Sequence, residues 1–225
     1  QHHAQEEATS YELYGSGRPL SIDQGTVSYG SELHENYFRK GVAHNVPIIN
    51  GEGQKGWAPG VVDHFDPEAN SLTVTQPNYR SDVTVTRTYR IKGNEFMDHV
   101  AINLKPVNRN PQRIGMLFNT ECPISVKPGS LGSPQQVSLP VTKGFDYWTN
   151  ISAFRPPSKW SLTINCPTMS YTLNISGPES HTVHLASVPA TPLPARRYAL
   201  YLETLGNAAT YEFRLRPNIS SRGFP

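Results

Sequence analysis

The sequence predicts an all-β protein, an antiparallel β-sandwich of two large multi-stranded sheets, on three observations. Apolar residues recur at period two in short runs, the pattern of half-buried strands. Turn residues separate those runs, with 20 prolines and 17 glycines in 225 residues. No window sustains the 3.6-residue apolar period of an amphipathic helix.

Taken in order, strands are expected over residues 10–14 and 71–75, then over 83–91, the clearest run. There Val83, Val85, Tyr89 and Ile91 fall on one face and Thr84, Thr86, Thr88 and Arg90 on the other, as in a half-buried antiparallel strand. Further strands are expected over 96–104, 113–118, 160–166, 170–175, 182–186, 198–202 and 211–215, with turns at Lys92-Gly93-Asn94, Pro128-Gly129-Ser130, Gly177-Pro178-Glu179 and Gly206-Asn207. From residue 105 to about 143 the chain is rich in Pro, Gly, Ser and Gln, a linker or a long loop at the sandwich edge. It divides 1–105, the sandwich core, from 106–225, which continues the sandwich or forms a second, smaller β subdomain. A proline-rich stretch at 188–194 reads as an extended connector before a final hairpin.

A formal charge of +2 and the absence of any Lys/Arg-rich run argue against a nucleic-acid partner. No apolar run is long enough for a membrane span. A polyanion stays open, because a groove needs only a few well-placed cations. Asn150, Asn174 and Asn218 each begin an N-glycosylation sequon, and Cys122 and Cys166 can form one disulfide in an oxidising compartment. Together they point to a secreted, extracellular protein. The chain starts at Gln1 with no signal region, which reads as a cut within a longer protein or a processed end.

The stretch 41–54 concentrates the chemistry. Tyr37, Phe38, Arg39 and Lys40 lead into it, His44-Asn45 sits near its start, and Asn50-Gly51 and Glu52-Gly53 turn the chain before Gln54. Alone, His44 reads either as a cap on a strand end or as an imidazole whose charge changes near neutral pH. Arg39, Lys40, Lys55 and Trp57 flank the stretch. They form either a solvated loop or the cations and ring plate that an acidic sugar chain requires.

The first hundred residues resemble a known family. His2-His3-Ala4-Gln5-Glu6 precedes Ser10-Tyr11-Glu12-Leu13-Tyr14-Gly15, Gly17-Arg18-Pro19-Leu20 and Asp23-Gln24-Gly25-Thr26, and the series closes on His44-Asn45 and Gln54. The order and spacing are similar to the heparinase II/III-like β-sandwich region of polysaccharide lyases. The resemblance implies β-elimination on a polysaccharide containing uronic acid. His44 is then the catalytic histidine, neutralising the uronate carboxylate or relaying a proton, with Asn45 and Gln54 orienting it or touching sugar hydroxyls. In that family the sandwich follows an α/α toroid, which carries the tyrosine base and which this chain lacks. An acidic polysaccharide and a toroid domain or chain are thus the implied partners. Tyr11, Tyr14, Tyr29 and Tyr37 read as strand or lead-in aromatics.

The resemblance also implies a divalent metal, zinc or similar, held by a histidine two residues after the catalytic one, a later Asp and a more distant His. Asp63 and His99 fall near the last two positions, with His64 beside the first of them, but the first ligand position is Val46. On their own, Asp63 is a turn residue and His99 a strand residue. His2 and His3 either replace the missing ligand or belong to a frayed terminus. His181 and His184 lie on opposite faces of their strand. The alternatives from other classes are a non-catalytic carbohydrate-binding or interaction sandwich and a secreted structural β domain.

Overall fold

The structure, a computed structural model, describes residues 5–23, 25–56, 58–105, 110–127, 129–135, 139–142 and 144–219. The strands among them, in chain order, are β1 (Leu13–Gly15), β2 (Arg18–Ser21), β3 (Pro47–Ile49), β4 (Val61–Asp66), β5 (Ser71–Arg80), β6 (Val83–Lys92), β7 (Glu95–Leu104) and β8 (Gln112–Thr120). They continue with β9 (Ile124–Ser125), β10 (Thr149–Phe154), β11 (Lys159–Asn165), β12 (Ser170–Ser176), β13 (Thr182–Pro189), β14 (Arg196–Gly206) and β15 (Ala208–Pro217). All pairings are antiparallel. An eight-stranded sheet runs β4-β5-β6-β7-β15-β12-β11-β9, a five-stranded sheet runs β10-β13-β14-β8-β3, and β1 pairs with β2 alone.

The alternation read in β6 produces the expected faces over the first part of the strand, while Tyr89 is half-buried and Ile91, expected on the inward face, is exposed. Val83 and Val85 point into the core, while on the other face Thr88 and Thr86 pair hydroxyl to hydroxyl with Thr73 and Thr75 at 3.0 and 2.9 Å. Between the sheets, Val83, Val85, Val100, Ile102 and Phe213 of the large sheet meet Ile114, Met116, Phe118, Leu200 and Leu202 of the small one. The small sheet is buried on its other face too. Leu117, Ala199 and Tyr201 alternate with those core residues and pack under Tyr37, Phe38, Val42, Ala43, Val46 and Ile48. Each such side chain fully removed from water is worth about 1.5–3 kcal/mol. The His44 stretch is therefore a cover on the small sheet.

Both sheets take strands from either side of residue 105. β7 pairs with β15, and β8, which lies inside the Pro/Gly-rich region, is hydrogen-bonded on one side to β14 and on the other to β3. Cys122 and Cys166 form a disulfide joining the β8–β9 crossover to the end of β11. The edge strands of both large sheets, β4 and β9, β10 and β3, were not expected from sequence, and nor was β2. β4 leaves Val61, Val62 and Phe65 exposed, so its apolar residues do not alternate.

Candidate functional site in the His44 stretch

Local geometry follows from the residue types in this stretch. Asn50 and Gly51 both have positive φ, 51° and 82°. They make a two-residue reversal in which Ile49 N–H donates to the Glu52 carbonyl and Glu52 N–H donates to the Ile49 carbonyl, as an Asn-Gly hairpin does. The reversal brings Gly53 against Gly41 so closely that a Cβ on Gly41 would sit 2.7 Å from the Gly53 Cα. A short helical turn at His34–Phe38 and a tighter one at Gly41–Ala43 complete the segment.

A cavity of about 600 Å³ opens at this glycine pair, lined by Arg39, Lys40, Gln54, Lys55, Glu6 and Glu52 among others. Gln54 is buried and borders it. Each of the three cations already has a carboxylate partner. Arg39 pairs with Glu35 at 2.7 Å, Lys40 with Glu6 at 3.0 Å and Lys55 with Glu52 at 2.7 Å. Lys55 in the first place, with Arg80 helping against partial burial, holds the Glu52 carboxyl below its usual range. Exposed pairs of this kind contribute about 0.2–1 kcal/mol, so a ligand carboxylate or sulfate can exchange for them at small cost. Trp57, expected beside these residues, lies outside the described residues, as do His2, His3 and Gln24.

The next residues of the same two segments, Glu7 and Ala43-His44, border a second cavity of about 350 Å³ with Tyr11, Asp23 and Asn119. The His44 side chain is only 1% exposed. Its Nε2 lies 3.1 Å from the Phe38 carbonyl, which can only accept, so Nε2 carries the proton. Nδ1 lies 3.0 Å from Asp23 Oδ2 and 3.8 Å from Glu7 Oε2, yet makes no aligned hydrogen bond. Burial acts against the charge on Asp23, but the His44 ring, the Gly25 amide and Arg197 outweigh it and hold the carboxyl below its usual range.

Asn45, expected to orient His44 or touch sugar hydroxyls, has its side-chain amide bonded within the protein. Its Nδ2 donates to the Tyr11 carbonyl and Ser21 Oγ at 3.1 and 2.8 Å, and its Oδ1 accepts from the Asn119 amide at 2.7 Å. The buried amide is consumed in tying the stretch to β2 and β8. Its carbonyl accepts from Arg87 Nη1 at 2.6 Å. Arg87 is itself fully buried and forms a bidentate pair with buried Asp98, at 2.9 and 2.6 Å, beneath the Tyr11 and Tyr89 rings.

The expected metal residues do not meet. Asp63 is on β4 and His99 on β7, with β5 and β6 between them, three strand spacings or roughly 14 Å. Both are exposed, so the donor set for the implied ion does not fit these positions. Of the sequons, Asn150 is exposed, Asn174 is half-buried on β12, and Asn218 is exposed with its amide engaged by Ser170 and Thr172.

Several residues escaped the sequence reading. Asp23 was visible only as part of a motif, and Glu7 not at all, because neither shares an element with His44. Arg87 carried a usable signal, since it occupies an inward position of the β6 alternation. On the covered face of the small sheet, Glu203 meets Arg113 at 3.2 Å, His184 at 3.3 Å and the Tyr201 hydroxyl at 3.2 Å. His184 is therefore a buried partner of a carboxylate, although its strand position alone marked it as ordinary.

Comparison with known proteins adds a family match over part of the chain. A galactose mutarotase related enzyme from Lactobacillus acidophilus superposes with a TM-score of 0.54 at 9% identity, covering 93% of this chain and 90% of that one. That likeness shows the sandwich fold alone. The Slr1438 protein from Synechocystis sp. PCC 6803 aligns at 13% identity over 70% of this chain and 66% of its own, with a TM-score of 0.46. No curated protein matches in sequence. Residues 1–98, which contain every part of the His44 stretch, match the profile described as heparinase II/III-like, C-terminal. Over its first 98 residues, therefore, the chain is similar to the heparinase II/III-like C-terminal family.

Proposed function

We propose that the chain is the β-sandwich portion of a secreted polysaccharide lyase that cleaves uronic-acid-containing polysaccharide by β-elimination. The reaction removes the proton at C5 of the uronate and expels the O4 substituent, leaving a C4–C5 double bond. It needs the carboxylate neutralised so that C5–H becomes acidic, a base for that proton and an acid for the leaving oxygen. In this reading Arg39, Lys40 and Lys55 exchange their carboxylate partners for those of the sugar chain. Gln54 touches it from the cavity wall, and His44 supports the charge from beneath the neighbouring cavity. A helical toroid domain or chain supplies the tyrosine that moves the protons. The disulfide and the three sequons favour an extracellular setting, and among the described residues no helix is long and apolar enough to cross a membrane.

The observation that carries this reading is that the family-matching segment gathers Arg39, Lys40, Lys55 and Gln54 around one cavity, with His44 bordering the next. A second reading, a carbohydrate-binding sandwich without chemistry of its own, is favoured by the burial of His44 and the engagement of its Nε2. One assay separates them. The full protein is incubated with acidic polysaccharides, and the ultraviolet absorbance of the unsaturated uronate is followed. Lyase action predicts a rising signal, sharply reduced in His44→Ala and needing more substrate in Arg39→Ala/Lys40→Ala. An unchanged rate in His44→Ala refutes the role of the histidine. Binding with no unsaturated product on any uronate polymer leaves the second reading.

A further inference from the structure

We propose that His44, Asp23 and Glu7 form a binding site for a divalent transition-metal cation of the zinc class, with His44 Nδ1 as the nitrogen ligand. Among the described residues these three are the one group of His, Cys, Asp and Glu whose ligand atoms all lie within 4.8 Å of one another. What marks the site is the state of His44 and not the proximity of acidic groups. Its Nε2–H is committed to the Phe38 carbonyl at 3.1 Å, so in the neutral ring Nδ1 presents a lone pair. That atom is sealed from solvent in a side chain 1% exposed, makes no aligned hydrogen bond, and faces two carboxylate oxygens. A lone pair aimed at two anions is repulsive until a cation sits between them. A proton on Nδ1, which would pair with Asp23 at 3.0 Å, is the competitor that a metal ion must displace.

The spacings suit such an ion. Zinc bound to nitrogen and oxygen at about 2.0–2.2 Å in a tetrahedron places its ligand atoms roughly 3.3 Å apart. The Nδ1 to Asp23 and Nδ1 to Glu7 distances, 3.0 and 3.8 Å, bracket that value. The outer contacts match as well. Ligating histidines donate their second ring N–H to a backbone carbonyl or carboxylate, and ligating carboxylates are themselves hydrogen-bonded. Asp23 Oδ1 accepts from the Gly25 amide at 2.7 Å, which leaves Oδ2 turned to His44. The Asp23 backbone is fixed from both sides, its N–H on Glu12 and its carbonyl on Arg197. Three protein ligands leave a fourth position toward the cavity that Glu7, Asp23 and His44 border, the arrangement of a site that accepts an exogenous oxygen ligand. The site differs from Asp63 and His99 in every residue, and it stands or falls independently of lyase activity.

The test uses the full chain, stripped with a chelator and titrated with zinc alone against a chromophoric competitor. One equivalent is expected to bind. Glu7→Gln and Asp23→Asn should each weaken it by about 10-fold or more, while His2→Ala/His3→Ala and Asp63→Asn keep the wild-type affinity. Glu7 is exposed, so Glu7→Gln reports on binding without a folding defect. In nitrogen-15 spectra, zinc should move the His44 Nδ1 resonance while Nε2 stays protonated. Wild-type affinity in both carboxylate variants, loss of binding in His2→Ala/His3→Ala, or an Nδ1 that keeps a proton at saturating zinc would each overturn the proposal.

Discussion

Asp98→Asn is the sharpest test of what holds the His44 stretch in place. The substitution keeps the shape of the side chain, removes its charge and replaces one of the two oxygens that accept from Arg87 with an NH2 donor. Arg87 then remains in the core with its guanidinium unneutralised, since Arg87 and Asp98 are both 0% exposed. In the native protein burial opposes the charge on Arg87, and Asp98 more than restores it, raising the group above its ordinary range. Two charge-assisted bonds, at 2.9 and 2.6 Å, link the pair. Removing one partner of a buried pair costs about 3–5 kcal/mol. For a chain of this length each kcal/mol moves the melting temperature by about 2–4 °C, so calorimetry should show a fall of roughly 6–20 °C. Replacing both partners, as Arg87→Met/Asp98→Leu, removes the stranded charge and should recover much of that loss. A single-variant shift under about 2 °C, or a double variant no more stable than the single, would refute the reasoning.

Three further outcomes follow from other contacts. Cys122→Ala/Cys166→Ala opens a link between residues 44 apart, and chain entropy puts the loss at about 4 kcal/mol, readable as a lower urea midpoint. Gly41→Ala forces a Cβ onto the Gly53 backbone, so a loss of about 1–3 kcal/mol and weaker binding of acidic polysaccharide are expected; unchanged stability would mean the glycine contact is slack. His181 accepts from the Trp160 indole at 3.1 Å through Nε2 and donates from Nδ1 to the Pro178 carbonyl, and burial lowers its pKa. Its folded value lies below the unfolded value near about 6.5. Its contribution is therefore complete above that pH and is lost as pH falls toward the folded value. Urea unfolding between about pH 7.5 and about pH 5 should show stability declining more steeply for the native protein than for His181→Gln, and equal slopes would sink the assignment.

How much was legible in the sequence depended on whether the information was local. The β6 faces could be read because alternation is enforced residue by residue, and the Asn50-Gly51 reversal because left-handed backbone selects those residues. β4 was missed because exposure on both faces of an edge strand removes the pattern. Arg87 was skipped because a cation in an apolar series looks like an interruption, and only Asp98 on the neighbouring strand gives it a reason. The site divided the same way. The crowding of Arg39, Lys40, Lys55 and Gln54 is a property of one short stretch, whereas the meeting of His44 with Asp23 and Glu7 is a product of topology. Asp63 and His99 were carried over by spacing along the chain, and two strands of the sheet separate them.

The pairing of β7 with β15 has a consequence for how this protein can be divided. The family-matching segment ends at Asp98, midway along β7, and the far side of that strand is occupied by residues more than a hundred positions later. A fragment cut at that boundary would keep the whole His44 stretch yet present a bare, ladder-ready edge, the kind of surface through which chains aggregate. The unit of recognisable ancestry is therefore smaller than the unit of cooperative folding. Amides of β7 should exchange with solvent only when β15 opens with them, which makes the unmatched half of the chain a guarantor of the matched one.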